Sequence, residues 1–208
     1  MTRVKICGLT DRRDLKYALA AGADALGFVV EIERSCHCIT TEKARALIEQ
    51  IPVFVNSVAV VSPMDLDDAV RLSFETNADI LQVHGTLGPD EICALRRMVP
   101  QKIIAAAAPG SKEARLFEGA ADAVLLDTFK DGMLGGSGEI HNWDVSAALA
   151  KSLQVPVILA GGLNPSNVQE AILRVRPHAV DVSSGVETDG RKDPSKMKAF
   201  VDQVRSCP

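Results

Sequence analysis

Short apolar runs alternate with longer segments of helical period eight times along the chain, and this alternation constrains the fold more than any other feature. The runs are Val4–Cys7, Ala25–Val30, Val53–Val61, Ile80–Val83, Ile103–Ala107, Ala123–Leu126, Pro156–Ala160 and Ala179–Val182. Between and after them lie Asp11–Ala21, Thr41–Gln50, Pro63–Thr76, Pro89–Met98, Lys112–Glu118, Asp144–Leu153, Pro165–Val175 and Pro194–Val204. Polar residues hardly interrupt the runs, which is how parallel strands read when both faces are covered. Pro63, Pro89, Pro165 and Pro194 stand where first helical turns begin, behind Ser62, Gly88, Asn164 and Asp193 as N-caps, with Thr40 or Thr41 capping the second helix. Repeated strand and helix without a large insertion predicts an α/β fold, a (β/α)₈ TIM barrel spanning residues 1–208 as one domain. A doubly wound open sheet is the alternative. It usually carries GxGxxG after its first strand, where this chain reads Cys7-Gly8-Leu9-Thr10-Asp11.

Composition narrows the function classes. A content of 47% hydrophobic and 24% charged residues excludes disorder, and a net charge of −4 leaves no basic footprint for nucleic acid. No apolar run approaches the roughly 20 residues of a membrane span. Met1-Thr2-Arg3-Val4-Lys5-Ile6 enters a strand directly, so a cytoplasmic protein with a small-molecule partner is expected. The five cysteines, Cys7, Cys36, Cys38, Cys93 and Cys207, are odd in number and scattered, which argues against a disulfide framework. Cys36-His37-Cys38 lacks a second pair at structural-zinc spacing, and no metal is expected.

Barrels of this kind carry their active sites at the C-terminal strand ends. Reading across those ends gives Cys7, Asn56 within strand 3, Gln82 and His84 near the end of strand 4, and Asp127 after strand 6. Gly161-Gly162 follows strand 7, and Asp181-Val182-Ser183-Ser184-Gly185 closes strand 8. The glycines of Ala160–Asn164 and the serines of Ser183–Val186 suit a phosphate cradle, since glycine lets backbone N–H groups approach an anion; they equally suit tight turns. Cys7 is either a small buried hydrophobe or a base, and as a base its thiol must be drawn toward neutrality by a nearby positive charge. Asp127 either caps a loop or, kept protonated in an apolar site, donates a proton.

Five segments carry a family likeness. Lys5-Ile6-Cys7-Gly8-Leu9-Thr10, Leu81-Gln82-Val83-His84-Gly85, Gly135-Gly136-Ser137-Gly138 with Trp143, Leu159-Ala160-Gly161-Gly162-Leu163-Asn164-Pro165-Ser166-Asn167-Val168 and Val180–Glu187 resemble, in order and spacing, the signatures of phosphoribosylanthranilate isomerases. The resemblance covers essentially the whole chain. It implies an Amadori rearrangement of N-(5-phosphoribosyl)anthranilate to 1-(2-carboxyphenylamino)-1-deoxyribulose 5-phosphate in tryptophan biosynthesis, without a cofactor. It further implies that Asp127 acts as general acid and Cys7 as general base. Gly161, Gly162, Ser183, Ser184 and Gly185 would hold the phosphate, Gln82, His84 and Asp181 would contact the substrate, and the Gly135–Gly138 loop would close over the site. Where the family usually reads Ser-Pro-Arg, this chain reads Ser35-Cys36-His37, so the cation expected at the anthranilate carboxylate is replaced by imidazole. Arg34 and His37 are the nearby substitutes. The rival enzymes are another phosphosugar isomerase or a related phosphate-binding barrel such as an indole-glycerol-phosphate synthase, but the synthase would show catalytic lysines at strand ends, and Lys5, standing before Cys7, lacks that placement. A metal-sensing barrel built on Cys36-His37-Cys38 is the rival of a different class.

Overall fold

Helix starts show how closely local chemistry sets the elements. The Asp11 side chain accepts from the Arg13 and Asp14 amides and opens α1 (Arg12–Ala21), and Thr40 Oγ1 accepts from the Lys43 amide to open α2 (Thr41–Ile48). Pro89 begins α4 (Pro89–Met98) and Pro194 begins α8 (Pro194–Arg205), as their sequence positions predict. Two prolines behave differently. Pro63 and Ser62 precede a turn, and α3 (Leu66–Thr76) starts behind Asp65, whose carboxylate accepts from the Asp68 amide. Asn164 is likewise not a helix cap: its side chain folds back onto the Ser166 amide and hydroxyl, and α7 (Val168–Val175) begins behind Asn167. Helices α5 (Lys112–Leu116) and α6 (Trp143–Ser152) complete the set.

The computed structural model describes residues 1–85, 87–130, 133–134 and 141–207, with the pairs 129–130 and 133–134 as backbone alone. Its central strands are β1 (Arg3–Ile6), β2 (Ala25–Val30), β3 (Asn56–Val61), β4 (Ile80–Val83), β5 (Lys102–Ala107), β6 (Ala123–Leu126), β7 (Val157–Leu159) and β8 (Ala179–Val182). All pair in parallel in the order β1-β8-β7-β6-β5-β4-β3-β2, and β2 returns to β1 through Lys5↔Ala25 and Ile6↔Leu26. The sheet is therefore a closed barrel, not an open doubly wound layer. Strand β3 is shorter than its apolar run. Val53 and Phe54 are exposed, Phe54 at φ 74°, so the chain turns there and becomes extended only at Asn56, whose amide donates to the Asp24 carbonyl.

Side chains alternate between two apolar environments, which is why the strands read as unbroken runs. Val4, Ile6, Phe28, Leu81, Ile103, Leu126, Leu159 and Val180 point outward under the helices. Ile104, Ala106, Leu125 and Ile158 fill one side of the barrel interior, while Cys7, Val29, Val58 and Val60 pack on the other. The inward positions at the C-terminal ends carry polar groups.

Candidate functional site

Strand parity brings most of the expected residues together. Lys5 and Cys7 share the inner face of β1, Gln82 and His84 that of β4, and Asp181 lies inside β8, directly beside Lys5 in register. Asp127 follows β6 on the same parity, and all six side chains are buried. Asn56 is not among them. It begins β3, is exposed, and stands at the opposite end of the barrel.

Burial sets the charge states. Asp127 Oδ1 accepts from the Thr128 amide at 2.7 Å. Burial, reinforced by the Asp181 carboxylate, nevertheless pushes Asp127 up to about 6 against that amide and the Lys5 charge. Burial and then the charges of Lys5 and Arg34 drive His84 down to about 3, so its imidazole is neutral at physiological pH. Gln82 Nε2 lies 2.6 Å from His84 Nε2, and with the amide as donor the ring carries its proton on Nδ1. Gln82 Oε1 and Asp181 Oδ1 are buried acceptors without a hydrogen-bond partner among the described residues. Each such group costs about 1–3 kcal/mol unless a donor reaches it. Cys7 departs from expectation. Burial pushes its thiol up rather than down, and Asp181 adds to this, while Lys5 and Lys192 pull the other way.

Loops after β7 and β8 form one backbone layer. Gly161 and Gly162 have φ of 82° and 65°, a region that disfavours other residues. A side chain on Gly161 would strike Thr128 Oγ1 at 2.4 Å, and one on Gly185 would strike the Leu163 carbonyl oxygen at 1.9 Å. Ser184–Val186 forms a 3₁₀ turn directly after β8. The amides of Gly162 and Ser184 donate to no backbone carbonyl among the described residues.

A match to the family model described as N-(5'phosphoribosyl)anthranilate (PRA) isomerase spans residues 4–203. The chain belongs to this family. It is 58% identical, over the full length of both chains, to the N-(5'-phosphoribosyl)anthranilate isomerase of Methanothrix thermoacetophila. The phosphoribosyl anthranilate isomerase of Thermus thermophilus is 34% identical and superposes with a TM-score of 0.85 over all of both chains. A further isomerase structure, 31% identical with a TM-score of 0.83 over 99% of each chain, is a complex with reduced 1-(o-carboxyphenylamino)-1-deoxyribulose 5-phosphate. The segment 31–37 after β2 (loop 2) meets the segment after β8 (loop 8). His37 Nε2 pairs with a Glu187 oxygen at 2.8 Å, and its ring lies against Gly8. Despite burial, hydrogen bonds from His37 and Lys192 hold Glu187 down at about 2. His37 thus ties loop 2 to loop 8 and borders a cavity of about 300 Å³ with Thr10, Arg13 and Arg191. Arg34 is exposed, has no ion-pair partner among the described residues, and is the loop-2 charge felt at His84.

Sequence reasoning missed Lys5, Lys192 and His141. Lys5 was legible from parity alone, because residues two apart on a strand share a face. Lys192 donates to the Ser183 carbonyl at 3.1 Å and to its hydroxyl at 3.2 Å, from a two-stranded hairpin (Glu187–Thr188 with Arg191–Lys192) whose Asp189-Gly190 turn was the signal in the sequence. His141 lies 3.2 Å from Thr128 Oγ1 and 2.8 Å from Ser146 Oγ. The expected Gly135–Gly138 closing loop lies outside the described residues. Cys36 is exposed and Cys38 belongs to a short strand, Cys38–Ile39, beside β2. Among the described residues no helix is long and apolar enough to cross a membrane.

Proposed function

We propose that the chain catalyses the Amadori rearrangement of N-(5-phosphoribosyl)anthranilate to 1-(2-carboxyphenylamino)-1-deoxyribulose 5-phosphate, with Asp127 as general acid and Cys7 as general base. The observation that carries this reading is the pairing of a carboxyl pushed up to about 6 with a buried thiol on the same inner barrel face. Asp127 protonates the furanose ring oxygen, the C1–O bond breaks, and the anthranilate nitrogen becomes an iminium. The Cys7 thiolate then removes the C2 proton. The C–H electron pair forms the C1–C2 double bond and neutralises the iminium, and the enolamine tautomerises to the ketone by gaining a proton at C1 and losing that of the C2 hydroxyl. A thiol raised by burial fits this sequence, because the iminium supplies positive charge beside the sulfur only after the ring has opened.

The remaining groups bind. The free amides of Gly162 and Ser184, with Gly161, Ser183 and Gly185 shaping the cradle, take the phosphate. Gln82 Oε1 and Asp181 Oδ1 accept from the ribose hydroxyls, and neutral His84 offers Nδ1–H without adding charge beside the iminium. Arg34 meets the anthranilate carboxylate, while His37, engaged by Glu187, sets the position of loop 2. The deciding experiment is Cys7→Ala. Turnover should fall by about 10²–10⁴-fold or more while a reduced product analogue still binds, and alkylation of the thiol should inactivate with substrate protecting. Near wild-type kcat in Cys7→Ala would reduce Cys7 to a wall residue.

A further inference from the structure

Lys5 has no part in the roles above, yet it occupies one of the costliest positions in the molecule. Its ammonium lies inside the barrel, 2.9 Å from Asp181 Oδ2, with both side chains less than a tenth exposed. Elsewhere the barrel interior is apolar, with Ile104, Leu125 and Ile158 on one side and Val29, Val58 and Val60 on the other. Removing an ammonium from water costs several kcal/mol that an ion pair only partly offsets. Burial works against the Lys5 charge, but Asp181 and Cys7 hold it above the ordinary lysine range.

Gly27 on β2 explains how sulfur and ammonium come together. A Cβ at Gly27 would lie 2.8 Å from Cys7 Sγ and 3.0 Å from Lys5 Nζ, so the two side chains converge on the space that a side chain would otherwise fill. The charged and titratable groups around Cys7 are few. Lys5 shares β1 with it, Asp181 faces it from β8, and Lys192 reaches it from the following hairpin. His84 on β4 is neutral, and Asp127 after β6 becomes negative above about 6, which opposes a thiolate. The Lys192 charge is shared with Glu187 and Ser183. The Lys5 ammonium pairs with Asp181 and lies beside Cys7.

We propose that Lys5 is a positioning residue for the proton abstraction: anchored by Asp181 and admitted by Gly27, its ammonium holds the Cys7 sulfur in place and favours the thiolate. The proposal rests on the reading of Cys7 as base. Its test follows the rate of Cys7 alkylation by iodoacetamide against pH, read by mass spectrometry of the peptide containing Cys7. Lys5→Met should move the midpoint up by about one pH unit, a tenfold loss of thiolate at fixed pH, and should cut kcat at pH 7 with partial recovery at high pH while KM changes little. Because Lys5→Met leaves Asp181 buried without a counter-charge, the comparison is repeated between Asp181→Asn and Lys5→Met/Asp181→Asn, which differ only in the ammonium. The double variant should again titrate about one pH unit higher than its partner. Equal midpoints within both pairs overturn the proposal whatever Cys7→Ala does, whereas an active Cys7→Ala overturns only the reading on which it rests.

Discussion

Replacing Asp127 by asparagine should strengthen the fold while it abolishes turnover. The folded carboxyl titrates at about 6 against an ordinary 3.8, so over that interval the folded chain binds a proton that the unfolded chain has released. A group raised in this way contributes stability that is fully present below 3.8 and is lost as pH rises through about 6. At roughly 1.4 kcal/mol per pH unit, the ionised side chain costs the protein about 3 kcal/mol near pH 8. Asparagine keeps the acceptor that the Thr128 amide uses and carries no charge to bury. The Asp127→Asn variant should therefore match wild type near pH 4 and exceed it by up to about 3 kcal/mol near pH 8. Urea unfolding at a series of pH values measures this directly, because the other titrating groups cancel in the difference. For a chain of this length the gain corresponds to roughly 6–12 °C in Tm. Over the same series kcat should be depressed by about 10²–10⁴-fold, since an amide does not supply the proton. A stability difference that stays flat between pH 4 and pH 8 would refute the claim that burial sets the charge of Asp127. A gain in stability with retained turnover would refute its role as acid.

Three further outcomes follow from the loops. Arg34→Ala should raise KM at least about tenfold, roughly 1.4 kcal/mol, in steady-state assays, and a smaller effect on KM is expected from His37→Ala because that imidazole is engaged by Glu187; an unchanged KM in Arg34→Ala would mean that the carboxylate is held elsewhere. Gly185→Ala should cost more than about 2 kcal/mol in chemical unfolding, because its Cβ would fall 1.9 Å from the Leu163 carbonyl oxygen; a near-wild-type midpoint would show that the loops move apart easily. Inorganic phosphate should raise the wild-type melting temperature by mass action and do so far less in Gly161→Val, and equal shifts in both proteins would place the anion outside this cradle.

The barrel was legible because its strands obey one rule throughout: apolar on both faces, with punctuation at each end. The expected helices went astray at Pro63, where the capping carboxylate of Asp65 further along wins over the proline, and at Pro165, where the Asn167 side chain bonds back to the Asn164 amide and the Gly162 carbonyl and the helix starts only after it. The inward groups Cys7, Gln82, His84, Asp127 and Asp181 were legible from their positions at strand ends. Their charge states were not, because these depend on side chains from distant strands. Cys7 illustrates the difficulty. A nearby cation was anticipated and is present as Lys5, but the desolvation that accompanies it outweighs its pull. The orientation of His37 was equally out of reach, since Glu187 lies 150 positions further along the chain.

The contact between Gly185 and the Leu163 carbonyl has a consequence for how such a barrel can change. With no room for even a methyl group between them, the segments after β7 and β8 cannot vary independently in length or course. A graft of one segment from another barrel would meet a backbone built for a different partner, so transplantation requires moving both as a pair. Loop 2 meets the segment after β8 through the side chains of His37 and Glu187, and Glu187 in turn holds Lys192 against Ser183, so a change there reaches the anion cradle through side chains that can re-adjust.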